Sequence, residues 1–339
     1  MEKSFFKYLA ALAVLLCNCD NKYIPSRVEP VQIDFVRFDS AVLAADSHKD
    51  GVNLLYKDFG PFMTVFSQDI IGVDANDTAY MKEALPKFLN DTLYGFKQTN
   101  NKVREQFADI YPIEDDIIYG FSRLKYLFPQ IILPEVTFFV SGFNASLLFW
   151  NGDFDTQEIR IAIGLDMYLG QDYELYNKVV YNYQKQGMNP ECIPLDIMSA
   201  YLFRVFEYDG EKNRLIDNMI YRGKLMYVIS LLYDKTPAYE VMGYTKEQWN
   251  WAKKNESNLY RYIIERKHLF SSERNILTAY LTDGPFCSEV SQQCPARIGI
   301  WLGWQIAESF LKHNNNISLQ SFILNNDTEY LLEHSYYKP

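Results

Sequence analysis

The sequence predicts an α+β fold in which helices surround a small sheet. Three short runs rich in β-branched and aromatic residues are separated by turns containing glycine, asparagine or aspartate: Glu135–Val140, Ser146–Trp150 and Glu158–Ile163. Short strands joined by such turns are typical of an antiparallel sheet, so we expect three antiparallel strands. The chain after Gly164 is mostly helical in pattern, and no linker or internal repeat interrupts residues 31–339. These residues are therefore predicted to form one domain.

The residues before this sheet are predicted to be mostly helical. Gln32–Phe38 alternates apolar and polar residues, which indicates a short strand before a helix at 40–45. The segment 56–73 has no clear period and is expected to be irregular. Further helices are predicted over 77–98, which begins with a capping aspartate, and over 112–128, which begins with proline.

Four helices are predicted after the sheet. One covers 194–206, and another covers 245–267, which begins with a capping box and has one apolar stripe. Leu215–Tyr233 and Ile298–Phe310 are apolar on nearly all sides, which is typical of helices buried among other elements. The last of these is too short to cross a bilayer.

Five residues of the two apolar helices are candidates for a functional or structural role. Gly223 costs about 1 kcal/mol relative to alanine inside a helix, and Lys224 must reach a carboxylate or the surface. Such local conflicts often mark function, although a close helix crossing and a snorkelling lysine would also explain them. Arg297 lies at a helix end that disfavours a cation, so we expect a specific acidic partner. Trp301 and Trp304 are the other two candidates, and packing in the core would also explain them.

The first residues predict export and lipid anchoring. A charged start, the apolar run Tyr8–Leu16 and an abrupt polar switch are typical of a signal peptide. Cys19 with the small Asn18 before it resembles a bacterial lipoprotein cleavage point, simple secretion being the alternative. We therefore predict a signal peptide over 1–18, an acylated Cys19 in a lipid bilayer, and a polar tether over 19–30.

Charge and motif content argue against several functions. A net charge of −10 disfavours nucleic acid as a partner, because its binding requires clustered lysine and arginine. None of the four histidines has a partner four residues away, so the HExxH pattern of helix-borne zinc sites does not occur. The chain also lacks a nucleophile elbow, a Walker loop and a dinucleotide fingerprint. The sequence thus predicts no catalytic residues, no metal and no cofactor.

Several segments together resemble the gliding-motility lipoprotein GldB family of Bacteroidetes. After the lipoprotein start, these are QIDFVRFDS, IRIAIGLDMYLGQDY, MIYRGKLMY, PARIGIWLGWQIAESFL and the ending SYYKP. They span nearly the full length of the chain. The family is similar to predicted zincin-like metallopeptidases, so the resemblance implies a zincin-like α+β fold.

The chain departs from the zincin pattern at the positions that would hold a metal. The helix after the sheet, 194–206, contains no histidine, and the later helix has Lys224 where an acidic ligand might be expected. We hypothesise that the ammonium group replaces the metal's charge and binds a carboxylate such as Asp196 or Asp217.

Two kinds of covalent modification are also predicted. In an oxidising compartment Cys287 and Cys294 could form a disulfide, which would leave Cys192 free; buried thiols are the alternative. Three Asp-Ser/Thr-aliphatic triplets resemble the signal for O-glycosylation of exported proteins in Bacteroides and its relatives, although two of them are equally good helix caps. The acceptor residues would be Ser40, Thr78 and Thr92.

The missing catalytic motifs and the resemblance together predict a non-catalytic lipoprotein of the cell envelope that faces the periplasm. It would act as an accessory or scaffold protein among other envelope proteins, associated with motility or type IX secretion. Which membrane carries it is left open. One alternative is a divergent hydrolase whose metal is held by carboxylates or distant histidines. Another is a glycan- or peptide-binding lipoprotein, which the 26 tyrosines and 23 phenylalanines suggest.

Overall fold

The computed structural model describes residues 23–45, 50–150, 158–208, 210 and 212–339. The strands are β1 Phe35–Arg37, β2 Pro134–Phe139, β3 Leu147–Phe149 and β4 Ile159–Gly164. The helices before β2 are α1 Phe38–Ala45, α2 Gly51–Val65, α3 Thr78–Asn90, α4 Phe96–Gln106 and α5 Tyr111–Leu127. Those after β4 are α6 Tyr176–Val179, α7 Ile193–Val205, α8 Leu215–Leu232, α9 Ala238–Val241, α10 Lys246–Glu265, α11 Arg274–Leu281, α12 Ile298–His313, α13 Leu319–Leu324 and α14 Thr328–Ser335.

The strands form one mixed sheet of four, in the order β1–β2–β4–β3. β2 pairs in parallel with both β1 and β4, and only β3 is antiparallel to its neighbour. The α+β class is confirmed, but the predicted three-stranded antiparallel sheet is wrong. The strand expected at 32–38 joins the sheet as β1, and two of the three pairings are parallel.

The path of the chain explains the mixed sheet. Helices α1–α5 lie between β1 and β2, and such a long crossover allows two neighbouring strands to run in the same direction. After β2, a turn with left-handed residues Gly142 (φ 64°) and Phe143 (φ 63°) leads to β3 at the edge. The chain then returns as β4 between β3 and β2. Strand pattern alone does not specify this order.

A buried carboxylate holds the turn that makes this path. Asp166 directly follows β4, and its side chain is 1% exposed. Its Oδ1 accepts a hydrogen bond from the Ser141 amide at 2.6 Å, and its Oδ2 accepts one from the Phe143 amide at 2.7 Å. The Ser141 hydroxyl donates to the same Oδ2 at 2.9 Å. Asp166 therefore fixes the turn after β2 to the end of β4.

Most predicted helices are confirmed, and two segments differ. α5, α7, α8, α10 and α12 match the helices predicted at 112–128, 194–206, 215–233, 245–267 and 298–310. The helix predicted over 77–98 is divided, because Asp91 is extended (φ −60°, ψ 126°) and Gly95 is left-handed (φ 81°). The segment expected to be irregular forms α2 and a π-helical turn, Phe66–Ile71. α2 is kinked at Phe59, and this kink interrupts the regular spacing of apolar residues that would predict a helix.

The core is centred on α8 and α12, whose backbones touch. A Cβ on Gly303 would lie 1.7 Å from the carbonyl oxygen of Met219, and one on Gly223 would lie 2.2 Å from the Gly303 carbonyl carbon. No side chain fits between backbones this close. The close helix crossing expected at Gly223 is therefore confirmed, and Gly303 is its partner.

No helix in the described part of the chain is both long enough and apolar enough to span a bilayer.

Replacing Gly303 with alanine should destabilise the fold strongly. The new methyl group would force α8 and α12 apart, and overpacking of this kind costs about 3 kcal/mol or more in the free energy of unfolding. Urea denaturation of both proteins measures the difference. Gly60→Ala is the matched control, because a Cβ there meets no atom within 4 Å. Equal losses in the two variants would contradict the crossing as described.

Candidate functional site

A polar pocket of about 300 Å³ lies next to Ser146, the residue before β3. It collects charged side chains from four separate parts of the chain: Asp196, Glu240, Asp283 and Arg297. Residues on α7 and α8, which follow the sheet, form part of its wall. A recessed pocket where several polar groups converge is the usual form of a small binding site.

Asp196 is the central acidic group of the pocket. It lies in the first turn of α7, and its Oδ2 accepts a hydrogen bond of 2.8 Å from the Tyr168 hydroxyl. Asp196 is exposed to solvent where it lines the pocket, and its hydrogen bond with Tyr168 is partly buried. Partial loss of hydration at the carboxyl group raises its pKa to about 6, although the Tyr168 bond and the charge of Arg297 partly oppose the shift.

The groups beside Asp196 keep their protons at neutral pH. Burial, assisted by the negative charge of Asp196, raises the pKa of the Cys192 thiol to about 11. Burial and Asp196 also raise the pKa of Tyr168 well above its ordinary value. Because the thiolate is the reactive form of cysteine, Cys192 is a poor nucleophile in this setting.

Arg297 contributes the positive charge of the pocket. It precedes α12 in the left-handed conformation (φ 59°), which is uncommon for a residue with a side chain and is often found at functional sites. Its Nη2 donates to the carbonyl oxygen of Met242 at 2.9 Å. Among the described residues no carboxylate lies within ion-pair distance of Arg297. The predicted acidic partner stays a prediction; the guanidinium shares the pocket with Asp196 and Asp283, and its charge acts on Asp196.

Lys224 lies in the core, away from the residues that line the pocket. It is 1% exposed, so its predicted burial is confirmed. Its ammonium group donates to the carbonyl oxygens of Ile323 at 2.8 Å and Asn325 at 2.7 Å, and to Asn326 Oδ1 at 3.3 Å. The free carbonyls at the end of a helix attract a cation, so Lys224 caps the carboxyl end of α13.

The carboxylates predicted to bind Lys224 have other partners. Asp217 accepts hydrogen bonds from Arg214 at 2.7 and 2.8 Å, within a capping box at the start of α8. Asp196 accepts its hydrogen bond from Tyr168. The hypothesis that Lys224 holds either carboxylate is therefore wrong, because the ammonium group binds oxygens at and just after the end of α13.

Both candidate tryptophans are packed. Trp301 is fully buried and Trp304 is 2% exposed, and both contact the edge of the Trp249 ring. The indole nitrogen of Trp301 has no acceptor among the described residues. Of the five candidates, Gly223, Lys224 and these tryptophans thus lie in or beside the α8–α12 core, and only Arg297 reaches the pocket.

The comparison with known proteins identifies the family. The model of the family described as gliding motility protein GldB matches residues 19–339. The chain belongs to the GldB family. No curated protein and no solved structure matches it. The zincin-like fold implied by the resemblance thus stays a prediction for this GldB-family chain.

The predicted modification sites are only partly described. Cys19 and the signal peptide over 1–18 lie outside the described residues. Cys287 and Cys294 are buried neighbours, with the amide of the first donating to the carbonyl of the second at 2.8 Å, and both are free thiols. Their disulfide stays a prediction, which the mass of the alkylated, unreduced chain would test.

The three predicted glycosylation residues are exposed in the GldB-family fold, so sugars could reach them: Ser40, Thr78 and Thr92. All three preceding aspartates also have structural uses. Asp77 accepts the Tyr80 amide at 2.9 Å and caps α3, Asp91 accepts the Tyr94 amide at 2.6 Å, and Asp39 accepts a hydrogen bond from Arg37 at 2.8 Å. Glycosylation stays a prediction. No group of three metal-ligating side chains occurs within the described residues.

Sequence reasoning missed the association of Asp196 with Tyr168. The two residues are 28 positions apart, and nothing in either segment indicates that they meet. One signal was available, because a carboxylate in the first turn of an otherwise apolar helix needs a polar environment.

Asp196 should make stability depend on pH. Its pKa rises from 3.8 to about 6 on folding, so the folded chain holds more protons than the unfolded chain between these values. The free energy of unfolding therefore falls as pH rises through this window. Asp196→Asn removes this dependence and keeps an acceptor for Tyr168.

Urea denaturation at several pH values tests this expectation. The stability of Asp196→Asn relative to the wild type should increase from about pH 4 to pH 7. Asp172→Asn removes one exposed carboxylate that does not line the pocket and serves as the control. A wild-type and Asp196→Asn difference that stays constant with pH would show that Asp196 titrates normally.

Proposed function

We propose that the chain is a non-catalytic, lipid-anchored interaction protein of the cell envelope. It faces the periplasm and works as an accessory or scaffold protein of the motility or type IX secretion machinery. Membership of the gliding motility protein GldB family supports the setting. The family match begins at Cys19, the residue predicted to carry the lipid, which supports the anchor. Its partners are other envelope proteins and the bilayer, not nucleic acid.

The chemistry of the pocket is the observation that carries the non-catalytic proposal. The wall of the pocket includes Asp196 and Ser199 from α7 and Met226 from α8. Cys192 and Tyr168 keep their protons there, so neither is an activated nucleophile. Asp196 can accept hydrogen bonds and Arg297 can donate them, which suits the binding of a polar segment of a partner.

One observation favours the alternative of a divergent hydrolase. A carboxylate with a pKa of about 6 in a pocket is suited to accept a proton from water. The glycan-binding alternative has less support, because many of the aromatic side chains that suggested it pack in the core. Fully buried examples are Phe38, Phe66, Phe121, Phe138, Tyr176, Tyr201 and Tyr280.

The proposal predicts that the purified full-length chain binds and does not turn over substrate. Elemental analysis should find zinc far below one equivalent, and digestion of an unstructured protein such as casein should proceed no faster than with Asp196→Asn. The variant is the matched control, because it removes the pocket carboxylate whose raised pKa suits a base. Stoichiometric zinc together with peptide cleavage that Asp196→Asn loses would establish the hydrolase instead.

A further inference from the structure

The first described residues are bound to the domain. Ile24 is 1% exposed, and the carbonyl oxygen of Pro25 accepts a hydrogen bond of 3.3 Å from Arg123 Nη1. Further along, the Val31 amide donates to Ser122 Oγ at 3.0 Å. The described part of the segment predicted as a tether therefore lies along α5 from residue 23 onward.

This packing limits how far the domain can move from a lipid on Cys19. Only residues 20–22 separate that cysteine from Tyr23. The four steps between the two Cα atoms span at most about 14 Å even when fully extended. A tether of twelve free residues, as the segment 19–30 suggested, would reach about three times as far. The surface at which the chain enters the domain must therefore stay close to the headgroups.

The surface around this entry point combines aromatic and charged groups, and we call it the exit face. Its residues are Pro25, Tyr119, Tyr126, Asp234 and Lys235. Asp234 accepts hydrogen bonds from Arg123 at 2.7 Å and from the Tyr119 hydroxyl at 2.6 Å. The Lys235 ammonium group lies 5.0 Å from the centre of the Tyr119 ring.

A groove of about 920 Å³ continues the exit face along α5. Residues 26–31 form one side of it, and the half-exposed Tyr126 and the ring of Tyr119 lie on the other. Arg27 and Lys125 bring positive charge to the groove, while Glu29 and Asp115 bring negative charge. Tyrosine rings with polar ends and lysines with long apolar stems suit the headgroup layer of a bilayer. The mixed charges match headgroups that carry both phosphate and ammonium.

We propose that the exit face lies against the headgroups of the bilayer that holds the anchor. The inference rests on acylation of Cys19, which is part of the proposed function. α8 shows which parts of the domain lie near the exit face and which lie far from it. Asp234 and Lys235 follow its carboxyl end, and Lys212 and Arg214 precede its amino end. Its 18 residues separate these ends by about 27 Å, beyond the reach of the tether. The amino end is therefore farther from the anchor than the carboxyl end, and the inference places it away from the membrane.

Photo-crosslinking to lipid tests this orientation. The photoreactive residue benzoylphenylalanine replaces either Lys235 or Lys212 in the full-length acylated protein. Both lysines are exposed, so neither replacement disturbs the core. The proteins are reconstituted into vesicles of phosphatidylethanolamine and phosphatidylglycerol, irradiated, and analysed by intact mass. We expect a several-fold excess of lipid adducts at position 235 over position 212.

A lengthened tether is the matched control. A flexible glycine–serine insert of about 20 residues between Asn21 and Lys22 extends the mean reach to about 25 Å. The excess at position 235 should then fall toward equality, because the domain can turn freely. An excess unchanged by the insert also supports the exit face, since it would show that the face itself binds headgroups.

Two results would overturn the inference, and they differ in what else they affect. Equal adducts at both positions of the acylated protein, with the native tether, would show that the exit face does not lie against the headgroups. The proposed lipoprotein function would be unaffected. A wild-type chain whose intact mass shows no lipid, and whose vesicle association equals that of Cys19→Ala, would remove the anchor and with it that part of the proposed function.

Discussion

The backbone contact between α8 and α12 is the constraint on which the rest of the structure depends. Gly223 and Gly303 are needed because a single methyl group at the crossing would overlap main-chain atoms. The same closeness places Lys224 in the core, where its charge would be costly without partners. The carbonyls at the end of α13 meet that need. Lys224, which is a candidate functional residue in the sequence, is therefore explained by the close packing at the neighbouring Gly223.

The two helices also position the surfaces to which we assign function. α12 begins directly after Arg297, so its packing against α8 fixes the strained residue that gives the pocket its positive charge. Met226 on α8 forms part of the pocket wall. At the carboxyl end of α8, Asp234 binds Arg123 of α5, which holds the entering chain. One helix thus connects the pocket with the exit face.

The sequence was informative where apolar period or a capping motif decides the structure, but not at the break before α4, where Gly95 is left-handed. Apolar period predicts α8 and α12, Thr245 and Gln248 form the predicted capping box, and Gly223 indicates a close crossing. It failed where partners distant in sequence decide. The order of the strands depends on the turn that Asp166 holds from 23 residues away. The pocket depends on Tyr168 meeting Asp196, and no spacing rule relates the two. Resemblance identified the family, but not the residues at which the chain acts.

Native-state hydrogen exchange tests most directly whether the α8–α12 contact holds the molecule together. Amides in the middle of both helices, around Gly223 and Gly303, should exchange only through global unfolding, with an opening free energy equal to that from denaturation. Amides at the break between α3 and α4 should exchange with a lower opening free energy. Exchange of the α8 amides through small local openings, while β2 and β4 remain protected, would contradict this account.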